Sequence, residues 1–232
     1  EASRLLGLTL TSRNHGKTSG EVPLAGIPYH QLDPYVAKLI RLGRKVAICE
    51  QVEDPKKAKG IVKRDVVQVV SPGTALSDTI LDRQRHNYTA SLCPVGERVG
   101  LAVIDLSTGD FALDEVDAAQ LRDELERHGP AELLVSDSAD AGWLDGLRQA
   151  LPGVAVSRVE DWHFEYQHAY EILTEQLQVQ SLRSFDVEDA GLAIRAGGAV
   201  VEYLRQNQGG SLDHIRRLHR RRRQDFLLLD AS

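Results

Sequence analysis

Residues 20–74 read GEVPLAGIPYHQLDPYVAKLIRLGRKVAICEQVEDPKKAKGIVKRDVVQVVSPGT, and this stretch decides the fold of the first part of the chain. It holds one clearly punctuated helix between segments that read as strands or tight loops. Asp33 is suited to cap a helix, because its carboxylate can accept from the unpaired amides of a first turn. Pro34 follows at a position where a missing N–H costs nothing. Tyr35, Val36, Leu39, Ile40 and Leu42 recur at the three-to-four spacing of an apolar helical stripe. Gly43 supplies a left-handed stop. Beyond it, Lys45–Glu50 and Val66–Val70 read as buried strands. Upstream, Leu5, Leu6 and Leu8 close an incoming helix, Thr9–Arg13 alternates like a short strand, and 14–20 is a polar loop.

Pro23-Leu-Ala-Gly-Ile-Pro-Tyr-His30, Val46-Ala-Ile-Cys-Glu-Gln51, Asp54-Pro55 and Val69-Val-Ser-Pro-Gly-Thr74 follow one another in order. Together, at this spacing, they resemble the mismatch-binding domain of the bacterial MutS family of DNA mismatch recognition proteins. The resemblance continues downstream over nearly the whole chain.

The 232 residues allow one large domain or two ordinary ones. With 42% hydrophobic residues the chain can build a core. The net charge of −6 excludes a uniformly basic nucleic-acid coat, so any DNA contact has to use a local patch. Cys49 and Cys93 lie in apolar runs and read as buried thiols of a reducing compartment; a metal site would need more ligands at closer spacing. No apolar run approaches the ~20 residues of a membrane span, and no secretory signal opens the chain. Both ends are expected to be cuts within a longer protein.

A polar stretch, 77–85, marks a domain boundary. Behind it Tyr88–Cys93, Val99–Leu106 and Asp110–Glu115 form an antiparallel meander joined by short turns. Asp117 is expected to cap a helix, with Gln120 at the capping-box position and Leu121 and Leu125 on one face. Gly129-Pro130 stops it. Strands at 132–135 and 154–156 alternate with a helix at 142–150, which argues for parallel pairing. Helices follow at about 165–178 and 188–207. The second carries Gly197-Gly198 in its interior, at a cost of about 1 kcal/mol each relative to alanine, so a neighbour is expected to pack very close there. The expected class is α/β: a small mixed α/β mismatch-binding domain at 1–75, a linker at 76–86, an RNase H-like connector domain at 87–208, and a link into a core domain at 209–232. In the connector the resemblance rests on Asp105–Phe111, Pro130–Leu134 and Asp213–Ile215.

Basic and small residues in loops can position a protein on phosphates and let backbone approach a groove. Arg13, Asn14, His15 and Lys17, with Pro23, Leu24, Ala25 and Gly26, are such a set. The resemblance places them on the DNA side, in a domain that enters the minor groove at the mismatch. The family's Phe-x-Glu reading motif, whose phenylalanine wedges between bases, lies upstream of the incoming helix and does not occur in this sequence. The resemblance further implies duplex DNA with mismatches or small loops as ligand, a MutL-type partner, a dimeric, cytoplasmic parent protein, and ATP with Mg²⁺ used by a C-terminal ATPase outside this sequence. No cofactor or catalysis is expected of the present residues. For partner binding the helix at 165–178 is the candidate: Tyr166, Ala169, Tyr170, Leu173 and Leu177 should face the sheet, leaving His168, Glu171, Ile172, Glu175 and Gln176 toward solvent or at the margins. A rival reading of another class is an RNase H-like metal-dependent nuclease. It would use Asp105, Glu124 and Asp137, with Asp186 or Asp189, converging on two Mg²⁺ ions. The arginine-rich run 216–223 could bind phosphate but reads first as an exposed connection.

Overall fold

The computed structural model describes residues 1–13, 22–54, 60, 62–75, 86–207 and 212–221. The first unit begins with α1 (Ala2–Leu6), closed by Gly7 in the left-handed conformation. Strands β1 (Leu10–Arg13) and β2 (Val22–Ala25) pair antiparallel as a ribbon of their own. Helix α2 (Leu32–Arg41) buries Val36, Ala37 and Ile40. Strands β3 (Val46–Gln51) and β4 (Arg64–Val70) form a second antiparallel ribbon.

Several expectations for this unit change. Asp33 is not the cap: a short 3₁₀ turn at Tyr29–Gln31 precedes α2, so Gln31 occupies the cap position and Asp33 lies in the first turn, beside the positive end of the helix. Gly43 does take the left-handed stop. β3 and β4 are not buried strands. Among the described residues each ribbon has two strands, and Cys49, Val66 and Val67 are exposed. The small core consists of Val36, Ile40, Val70 and Ala75, with Leu32, Val46 and Ile48 at its margin.

The second unit is a three-layer sandwich. β5 (Tyr88–Val95), β6 (Arg98–Asp105) and β7 (Asp110–Asp117) form the expected meander. Helix α3 (Leu121–His128) ends at left-handed Gly129. β8 (Glu132–Ser136), α4 (Ala141–Ala150) and β9 (Ala155–Val159) follow, and β8 and β9 pair parallel, as the alternation of strand and helix required. Helices α5 (Tyr166–Leu177) and α6 (Gly191–Asn207) complete the unit, together with a short strand, β10 (His219–Arg220). The sheet order is β10-β7-β6-β5-β8-β9.

Side chains alternate across the sheet with the period of two that strands impose. Ala90, Leu92, Leu101 and Val103 face α3 and α4, while Cys93, Ala102, Ile104 and Phe111 face α5 and α6. Each large side chain removed from water here contributes about 1.5–3 kcal/mol. Gly100 lies where α6 begins. A Cβ there would stand 2.0 Å from the Leu192 carbonyl oxygen, so glycine is what lets the helix start directly on the strand. Glu115 of β7 caps the same end, its Oε1 accepting from Leu192 N at 2.8 Å. Two local readings fail. Asp117 makes no side-chain cap bond, because it ion-pairs with Arg98 at 3.2 Å across the hairpin. The arginine run is not simply an exposed connection: Leu218 is in the core, β10 extends the sheet, and Arg220 pairs with Asp189. Leu212 and Ile215, in the segment expected to link onward, are also core residues of this unit.

Candidate nucleic-acid interface and the carboxylate joint

The β1–β2 ribbon sets Ser12 opposite Pro23 and Arg13 opposite Val22, and Thr11 Oγ1 donates to Leu24 O at 3.0 Å. Pro23 and Leu24 are exposed, Leu24 at 49%, and Ala25 is half-exposed. Gly26 is exposed, with no atom within 4 Å of a Cβ built on it. Tyr29, at 85%, adds to a surface that also includes Leu10 and Val22. The structure therefore brings Arg13 and Pro23–Gly26 to one ribbon; Asn14, His15 and Lys17 lie outside the described residues. A two-stranded ribbon is marginal alone, and among the described residues Leu10, Val22 and Leu24 of this one are exposed.

The nuclease carboxylates do not converge. Asp105 pairs in register with Tyr88 at the start of β5. Asp137 follows the end of β8, whose first residue pairs with Thr89. At about 3.3 Å per residue, the two lie at opposite ends of the sheet, roughly 15 Å apart or more. Glu124 is on α3 and bonds Arg127 at 3.0 Å. Asp189 pairs with Arg220, and Asp186 is a left-handed residue after a 3₁₀ turn. Among the described residues no group of three His, Cys, Asp or Glu is placed to hold a metal. A cavity of about 440 Å³ opens at the carboxyl ends of β5 and β8, lined in part by Cys93, Trp143, Phe164 and Arg195. Its carboxylates are engaged: Asp140 caps α4 through Trp143 N, and Asp161 accepts from Ser136 and Ser138. Burial pushes the Cys93 thiol up, away from reactivity.

On α5 the buried face is Ala169, Leu173 and Leu177. Tyr166, expected to face the sheet, is exposed at 44%. Ile172, expected toward solvent or at the margins, is half-buried at the margin of the main core. His168 is half-buried against the edge of Trp162. Glu171 and Glu175 remain exposed, Glu175 paired with Arg205 at 2.8 Å.

At the edge of the sheet Asp110 gathers Tyr88 OH (3.3 Å), Arg221 Nη2 (3.4 Å) and His219 Nδ1 (3.7 Å), and Arg221 also lies 3.3 Å from His128 Nδ1. Burial, then the charges of Arg221 and Arg127, bring His128 down to about 4. Burial brings Asp114 up to about 6. The two act in opposite directions. His128 is protonated more readily unfolded, so its contribution to stability is lost as pH falls from about 6.5 to 4. Asp114 is protonated more readily folded, so acidification from about 6 to 4 stabilises. Both groups are half-exposed, so each effect is on the order of 1 kcal/mol after screening. Urea titrations between pH 7 and 4.5 should show His128→Gln gaining on the wild type as pH falls and Asp114→Asn losing ground. Parallel profiles would refute both assignments.

Glu132 was legible only as part of a motif, although a charge leading the apolar run Leu133-Leu-Val135 was a signal. Its side chain is wholly buried. Oε2 accepts from Ser71 Oγ and from Gly73 N at 3.0 Å. Oε1 accepts from Tyr203 OH at 2.8 Å and from Ser157 Oγ, and Lys45 Nζ stands 3.9 Å away. Burial pulls the Lys45 amine down against the pull of Glu132, and burial with the neighbouring Glu132 pushes the Tyr203 phenol up.

A family model described as MutS domain I matches residues 1–79, and one described as MutS domain II matches residues 87–216. DNA mismatch repair protein MutS of Syntrophobacter fumaroxidans is 41% identical over 234 residues, spanning 100% of this chain and 26% of that protein. The MutS of Symbiobacterium thermophilum is 42% identical, over 99% of this chain and 27% of its own length. The chain belongs to the MutS family of DNA mismatch repair proteins, and spans about a quarter of the length of these relatives. Thermus thermophilus RuvC in complex with a Holliday junction substrate aligns over 52% of the chain at 16% identity, with a TM-score of only 0.36.

Proposed function

We propose that this chain is the DNA-contacting and coupling part of a mismatch recognition protein. Its first domain meets duplex DNA through the β1–β2 ribbon and the adjoining loop, and its RNase H-like second domain passes the bound state to a MutL-type partner. The observation that carries this reading is the pair of family matches, in order, over a first domain whose ribbon exposes Leu24, Val22 and Leu10. Of the partner-facing candidates on α5, Glu171 and Glu175 are exposed, while His168 and Ile172 are half-buried at the margin. Hydrolysis of ATP with Mg²⁺, and dimerisation, belong to the longer cytoplasmic protein.

Anisotropy titrations of matched and mismatched duplexes at two salt concentrations test the reading. Without a Phe-x-Glu segment among these residues, binding should be weak, salt-sensitive and nearly indifferent to the mismatch. Leu24→Glu should reduce it by about 3- to 10-fold, through repulsion of phosphate, and leave the melt within ~0.5 kcal/mol of wild type. No binding at any salt would overturn the assignment; tight, mismatch-selective binding would instead show that reading a mismatch does not need the Phe-x-Glu segment.

A further inference from the structure

One carboxylate serves both domains. Lys45, Ser71 and Gly73 lie within the domain I match, and Glu132, Ser157 and Tyr203 within the domain II match. Oε2 is satisfied by the first domain alone and Oε1 mainly by the second. A buried carboxylate persists only while its lone pairs are filled. Swinging the first domain away would remove the donors of one oxygen and the nearest cation together. The donor turn is itself sunk into the joint: residues 71–75 are all buried, in a domain whose strands are largely exposed. At Gly73 a Cβ would lie 2.1 Å from Thr89 Oγ1 and 3.0 Å from Glu132, so the turn has no slack. Asn87 Nδ2 holds the same turn from the second domain, donating to Pro72 O at 2.9 Å.

We propose that Glu132 is a positioning residue that locks the first domain to the second as one rigid body, setting the angle at which the ribbon is presented. The consequence for DNA rests on the function proposed above; the lock itself does not. A carboxylate that only steadied the end of β8 would need no donors from the first domain.

Nitrogen-15 relaxation of the 232-residue chain tests the lock. In the wild type, amides of α2 and of β5–β8 should report one rotational correlation time. In Glu132→Ala the two sets should separate, the value for the first domain falling by roughly half, as its smaller size dictates. Ser157→Ala, which removes a donor from the second domain only, should keep a single value. If Glu132→Ala does not fold, Ser71→Ala combined with Lys45→Ala, which touches only the first domain's side, takes its place and should also separate the two sets. Two values in the wild type, or one in the folded lock variants, would overturn the proposal. Duplex anisotropy on the same samples separates the two readings: a wild type that binds no DNA defeats the proposed function, while relaxation still decides the lock.

Discussion

Gly198→Ala is expected to destabilise the protein by about 2–4 kcal/mol, although alanine is the better helix former by about 1 kcal/mol. The new Cβ would lie 2.3 Å from Ala169 Cα and 2.9 Å from Ala169 O. Carbon atoms pack at about 3.5–4.0 Å, so the clash exceeds 1 Å, and its partner is backbone that cannot rotate aside. Helix α5 would have to lift from α6, loosening Leu173 and Leu177, which are buried beneath it. Gly197→Ala is the matched comparison. Its Cβ meets Leu113 Cδ2 at 2.8 Å and Leu173 Cδ1 at 3.3 Å, both at the ends of flexible side chains. Its cost should be under about 1 kcal/mol once helix propensity is counted. Urea unfolding of the two variants measures the difference, and a drop in melting temperature of about 5–10 °C is expected for Gly198→Ala. Equal stabilities would mean that the crossing is not as close as the geometry requires.

That crossing is legible in the amino-acid pattern alone, because two glycines inside an otherwise regular apolar stripe admit few other reasons. The meander and its parallel continuation are legible for a similar reason: Gly96, Gly109 and Gly129 take positive φ at the turns where the pattern breaks. What stays hidden depends on partners distant in sequence. Glu132 meets Ser71 and Tyr203 from 61 and 71 residues away, and no local pattern reports such a pairing. The strands of the first unit mislead because Val46–Cys49 and Val66–Val70 are as apolar as core strands, yet Cys49, Val66 and Val67 are exposed among the described residues. Ile172 lies at the margin of the buried face of α5, half-buried against the core, a position that helical spacing alone does not resolve. At the candidate DNA surface the family motifs are legible, but the loop that carries Asn14 and Lys17 lies outside the described residues.

Asp105 offers the sharpest test between a binding module and a nuclease. Its carboxylate is wholly buried, accepts from Ser107 N (2.9 Å) and Ser107 Oγ (2.6 Å), and lies 2.9 Å from His86 Nδ1. Burial alone would raise its pKa, but the bonds from Ser107 and His86 outweigh burial and hold it below the usual carboxylate range. The folded state therefore prefers the ionised form. The resulting stability is complete above the unfolded value of about 3.9 and is lost as pH falls below it, through the folded pKa. Asp105→Ala strands the Ser107 amide and should cost about 2–3 kcal/mol at pH 7. The difference from wild type should narrow below about pH 3, and Asp105→Asn, which keeps an acceptor, should lose less. A nuclease ligand would behave in the opposite way. Carboxylates converged for metal repel one another when the metal is absent, so removing one would raise the melting temperature of the metal-free protein and abolish Mg²⁺- or Mn²⁺-dependent cleavage. Thermal melts across pH, with a cleavage assay on duplex and hybrid substrates, separate the two outcomes. A stabilised Asp105→Ala variant, in a protein whose wild type cuts nucleic acid, would reinstate the nuclease.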